Sequence, residues 1–220
     1  MTIGHFSMKT TETVKRFFEP KTAAMAFVLA PLFVLMHELA HIMALELGGI
    51  SAHLRGFSMA MPVGYFWDFQ GLAGAQRHYD VATGAIVRGA LAGPVTTLFL
   101  TLGGLIASAR GGPRLFWIGS FCAIAPRMLG LSLNMPRFID GTMNTSDEAI
   151  AAHFSGLPLS SLYWPSLAIG YGLIILLFYA LPREERLSRG LSAFAGGLIG
   201  YLSIDAAANW LIFQPDVWVR

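Results

Sequence analysis

The sequence predicts an all-α polytopic membrane protein, with about five transmembrane helices and a short β-hairpin or re-entrant ribbon after the first. Three observations predict it. Of the 220 residues, 55% are hydrophobic and only 13% are charged, about half the charged share of a soluble domain. The apolar residues are gathered into long blocks, each near the ~20 residues a helix needs to cross a bilayer core. Between the first two blocks, glycines bracket short runs rich in strand formers, as a hairpin requires.

The elements follow in order. About 21 mostly polar residues precede the first apolar run. No secretory leader pattern is evident there, so that run, roughly Thr22–Leu47, is expected to be retained as a signal anchor. The stretch "GGISAHLRGFSMAMPVGYFWDFQGLAG" comes next and is the ribbon candidate. Further spans are expected at about Ala82–Ala109, Leu115–Leu133, Leu162–Leu181 and Leu191–Phe213. Between the third and fourth, "TSDEAIAAHF" has the form of a capped short helix beginning at Thr145 or Ser146. Trp117, Trp164 and Trp210 fall near span ends, where indoles prefer the headgroup zone. "GGLIG" at 196–200 places glycines four apart, a spacing that lets helices pack closely. No long-period repeat or hinge divides the chain, which reads as one membrane domain over 1–220: a polar segment 1–21, a three-helix core 22–155, and two additional spans in 156–220.

Composition also excludes classes of function. A single cysteine, Cys122, rules out an internal disulfide and a cysteine-rich metal cluster. The net charge of +2 gives no basic surface for nucleic acid. Lys9, Lys15, Arg16, Lys21, Arg110, Arg114, Arg183, Arg186 and Arg189 fall on the side of the N-terminus, against Arg55, Arg77, Arg137 and Arg220 on the other. The positive-inside rule then places the N-terminus in the cytoplasm. The expected location is a cell or inner membrane, crossed several times.

Residues 35–44, "LMHELAHIMA", place His37, Glu38 and His41 within an apolar run. Ionisable groups at membrane depth cost at least a few kcal/mol and mark function by default. On a helix, positions i and i+4 share a face, so His37 and His41 can turn their imidazoles to one ion. Glu38 lies about 100° round the helix and can face a water on that ion. This is the H-E-x-x-H arrangement of zinc hydrolases, in which the glutamate is the general base. A lone membrane histidine is ordinarily an interhelical hydrogen-bonder; two flanking a glutamate are better explained by a metal. A catalytic zinc usually takes three protein ligands and a water. His5, His53, His78, His153 and the acids are candidates for the third. Asp140 stands out among them, because "NMPRFIDG" follows the third span, although Asp140-Gly141 also reads as an ordinary turn.

Taken together, "HELAH" at 37–41, "ALAGP" at 90–94 and "NMPRFIDG" at 134–141 resemble, in that order, the core motifs of the site-2-type intramembrane metalloproteases. The resemblance covers roughly residues 25–155. It implies one zinc ion (Zn2+) per chain held by His37, His41 and Asp140, with Glu38 as base and Asn134 holding the substrate strand. It implies a ribbon at roughly Gly49–Tyr65 and a substrate that is itself a transmembrane protein in the lipid bilayer. Thr97 stands where the family usually has asparagine, and Thr142 where it usually has a second glycine. Control would come from a regulatory membrane partner or from trimming of the substrate.

Two other functions are weighed. One is a catalytically silent relative that binds metal or membrane helices, against which the intact Glu38 argues. The other is an ion or small-solute transporter using Asp205, Arg88 and Arg127, although no inverted repeat supports it. The simpler role of Asp205 is an ion pair with Arg88 or Arg127, since all three need partners at membrane depth.

Overall fold

The computed structural model describes residues 18–50, 52–55, 58–60, 83–139 and 146–212; at 53–55, 58–60, 137 and 204–212 it describes the backbone alone. It contains α1 (Pro20–Leu47), β1 (His53–Arg55), β2 (Ser58–Ala60), α2 (Thr83–Ala109), α3 (Arg114–Ile139), α4 (Asp147–Phe154), α5 (Ser160–Tyr179) and α6 (Arg186–Ile212). Four helices are long and apolar enough to cross a membrane: α1, α2, α3 over Arg114–Pro136, and α5. The fifth expected span, about Leu191–Phe213, overlaps the 27-residue α6, which is not among the four candidate spans found in the described residues.

Helix α1 starts with Pro20 in its first turn, where a missing N–H costs nothing. It stops at the Gly48-Gly49 pair. Gly49 adopts φ 80°, and its N–H reaches Glu46 O (3.0 Å) while that of Ile50 reaches Leu45 O (2.9 Å). These two bonds form a Schellman close, which needs a residue without Cβ at the left-handed position. The Glu46 carboxylate then accepts the Ala52 N–H at 2.8 Å, tying the chain beyond the stop back to α1. β1 and β2 follow and pair antiparallel, His53 with Ala60 and Arg55 with Ser58.

Helix α2 packs closely along the second half of α1. Ala85, Gly89 and Gly93, four apart on one face, are the reason. A methyl built on Gly48 would lie 2.7 Å from Ala85 Cβ, and one on Gly89 would meet the Leu45 side chain. Without lipid-excluding hydrophobic drive, membrane helices associate through such close backbone approach. Helix α6 uses the same device on the first half of α1. Methyls on Gly196 and Gly200 would strike the backbone at Ala23 and Phe27, so the "GGLIG" glycines are a packing face.

The core between α1, α3, α5 and α6 centres on Trp117, Phe121, Met128, Tyr163 and Leu177. Trp117 is not a headgroup anchor as expected. It is 2% exposed, stacks on Phe121 at 5.4 Å, and donates its indole N–H to Leu177 O at 2.7 Å. That bond frees the indole of any need for the interface. Trp164 is exposed on the outer face of α5.

Helix α3 runs beyond its expected end near Leu133 and continues through Pro126 and Pro136 to Ile139. Membrane helices tolerate proline where neighbouring groups occupy the freed carbonyls. The short helix α4 is capped as its sequence indicated, with Ser146 Oγ accepting the Ala149 N–H at 3.3 Å. Its first turn carries Asp147 and Glu148, and it packs against α2 and α5, which brings that turn to the histidines of α1.

At the opposite end, Glu19, Arg114, Glu185 and Arg189 join the starts of α1, α3 and α6. Arg189, nearly buried, reaches Glu19 Oε2 (3.3 Å) and Glu185 Oε2 (2.5 Å). Glu19 N–H donates to Ser192 Oγ at 2.7 Å.

Candidate metal centre

One turn of α1 carries His37 and His41 towards α2. Gly93 makes room for both: a methyl there would lie 2.7 Å from His37 Cε1 and Nε2 and closer still to His41 Nε2. The two Nε2 atoms converge to 3.1 Å. Each imidazole is fixed by its other nitrogen. His41 Nδ1–H donates to Gly89 O at 2.7 Å, so in its neutral form His41 presents a lone pair at Nε2. His37 Nδ1 lies 2.9 Å from Thr97 Oγ1. This is how metal-binding histidines are held: the outer hydrogen bond sets tautomer and ring plane.

Asp147 closes the group. Its Oδ2 lies 3.4 Å from His37 Nε2 and its Oδ1 3.5 Å from His41 Nε2. The three ligand atoms fall within 4.8 Å of one another, close enough to hold one metal ion. Burial works against ionisation of Asp147, but His41 and His37 outweigh it and hold its carboxyl well below the usual carboxylate range.

The donor set fits a dication on charge as well. Glu38, Asp147, Glu148 and Arg127 all line one cavity. Counted formally, three carboxylates and one guanidinium leave two negative charges, in surroundings where unpaired charge is costly. Two protons could balance them, on the carboxylates or on the imidazoles; a dication between the converging Nε2 atoms balances the same charge with both imidazoles neutral and the carboxylates ionised.

The cavity measures about 450 Å³. His37, Glu38 and Asp147 line it together with the apolar Phe33, Val34, Leu133, Phe194 and Leu198. Asn134 lines it too, from α3, with its amide N–H donating to Gly130 O at 3.0 Å.

Of the site residues expected from the sequence, His37 and His41 come together, and Glu38 and Asn134 line the adjoining cavity. Asp140 lies outside the described residues, as do His5 and His78. His53 falls on β1. Arg127 engages Asp147 Oδ2 at 3.1 Å and Glu148 Oε1; the side chain of Asp205, its expected partner, is outside the described residues. Asp147 was missed, because a serine followed by two acids is the ordinary grammar of a helix start. The usable signal was Arg127 in the third span, which requires a buried carboxylate from elsewhere. Gly89 and Gly93 were also legible, as small residues four apart on the helix that follows "HELAH".

Fold and site together define a helical protein with four candidate membrane spans and a His37–His41–Asp147 group that could hold a metal ion. No family model, curated protein or solved structure matches the chain.

Proposed function

We propose that the protein is an intramembrane zinc metalloprotease that hydrolyses a peptide bond in or near a transmembrane segment of a membrane-protein substrate. The observation that carries this reading is the convergence of both HELAH imidazoles and a carboxylate, with Glu38 of the same motif on the adjoining cavity. It agrees with the resemblance of the three sequence motifs to site-2-type proteases. His37, His41 and Asp147 are the ligands in this reading. A bound zinc supplies a water of lowered pKa and polarises the scissile carbonyl.

The chain's own residues do the rest. Glu38 takes a proton from the attacking water and returns it to the leaving amine. Thr97 and Gly89 keep the two imidazoles oriented. The apolar part of the cavity receives hydrophobic side chains of an unwound helix, and Asn134 offers its amide to the exposed backbone. The β1–β2 ribbon presents an edge to which an extended segment can add as a further strand. A catalytically silent relative would have no use for the base, and Glu38 is intact.

The test compares new peptide N-termini in membranes from cells making wild type or Glu38→Gln. Termini within membrane segments, present with wild type and absent with the variant while zinc is retained, are expected. The same termini from both proteins would refute the base assignment.

A further inference from the structure

We propose that Arg127 is a positioning residue of the metal centre: it holds Oδ2 of Asp147, turns Oδ1 towards the ion, and is itself locked in place by Glu148. This rests on the metal site of the proposed function, but not on its protease activity.

The two oxygens of Asp147 have different surroundings. Oδ1 faces His41 Nε2 at 3.5 Å. Oδ2 faces His37 Nε2 at 3.4 Å and also accepts from Arg127 Nη1 at 3.1 Å. A carboxylate with one oxygen held by a guanidinium offers the other to a cation, which keeps a coordination position open for water. The hold also fixes the rotation of a side chain that enters from a short helix rather than from α1.

Glu148 explains why the hold is rigid. It is 1% exposed, its Oε1 is engaged by Arg127 Nη2, and its Oε2 has no hydrogen-bond partner among the described residues. A buried carboxylate with an unsatisfied oxygen is a stability cost. Consecutive acids on a helix point about 100° apart, so Asp147 and Glu148 pull the guanidinium from two directions. Only a planar fork can answer both; a lysine ammonium cannot bridge them with fixed geometry. A lone buried ion pair needs Arg127 and Glu148, but not the further bond to a metal ligand.

The experiment uses the full chain in detergent: wild type, Arg127→Lys, and the double variant Arg127→Gln/Glu148→Gln. The double variant removes both partners together, so neither charge is stranded. Zinc affinity is read by competition with a chromophoric chelator, and coordination by the visible spectrum of the Co2+-loaded protein. Both variants are expected to lose ~10–100-fold in zinc affinity, as when an outer-shell partner is removed, and to show a weakened Co2+ band as Asp147 turns both oxygens to the ion. Unchanged affinity and spectrum in the variants, with or without lower thermal stability, would overturn the role of Arg127 and leave the metal site standing. A wild type that binds neither ion would overturn both.

Discussion

Replacing Gly93 with alanine sets a gain in the helix propensity of α2 against a loss of room for the two imidazoles. Alanine is the better helix former by about 0.5–1 kcal/mol, so on α2 alone the change is neutral or stabilising. The added methyl would nevertheless lie 2.7 Å from two atoms of the His37 ring, where ordinary contact begins at 3.4 Å. The His37 ring must therefore withdraw by about 0.7 Å, and His41, closer still, by more. Metal sites tolerate ligand displacements of only about 0.2 Å. A loss of at least ~10–100-fold in zinc affinity follows, taking the effect of outer-shell disruption as the floor, or about 1.4–2.7 kcal/mol. Chelator competition on purified wild type and Gly93→Ala measures it, with thermal unfolding of the metal-free proteins as the control. Zinc affinity within twofold of wild type, in a protein of unchanged fold, would refute the placement of the imidazoles against α2.

Other outcomes follow from the same geometry. Thr97→Val removes the hydroxyl beside His37 Nδ1 at nearly constant volume; zinc affinity is expected to fall roughly tenfold and Thr97→Ser to restore it. Glu38→Gln is expected to keep zinc by elemental analysis and lose cleavage in the N-terminal peptide comparison. Arg189→Ala leaves Glu19 and Glu185 with the more exposed Arg114 in place of their nearly buried cation; unfolding in detergent is expected to show a loss of about 1–3 kcal/mol with zinc content per folded chain unchanged, because the network lies at the far end of α1.

Much of this was legible in the chain itself. Helix placement followed from apolar block length, and the α4 cap from a serine three residues before Ala149. The HELAH pair was legible because a helical i, i+4 spacing fixes what two side chains can share. Asp147 was not, since nothing local distinguishes an acid that caps a helix from one that reaches across to another helix. Trp117 misled for a related reason: proximity to a span end does not reveal that Leu177 offers its indole a buried carbonyl. The course of α3 through Pro136 was hidden too, because proline ends helices in water more reliably than in a packed membrane bundle.

The third ligand is the centre of the account, and zinc per chain decides it. Elemental analysis of wild type, Asp147→Asn and Asp140→Asn, purified alike, is expected to give about one zinc in wild type and in Asp140→Asn, and little in Asp147→Asn. Zinc retained in Asp147→Asn and lost in Asp140→Asn would contradict the account and move the site to the Asp140-Gly141 stretch.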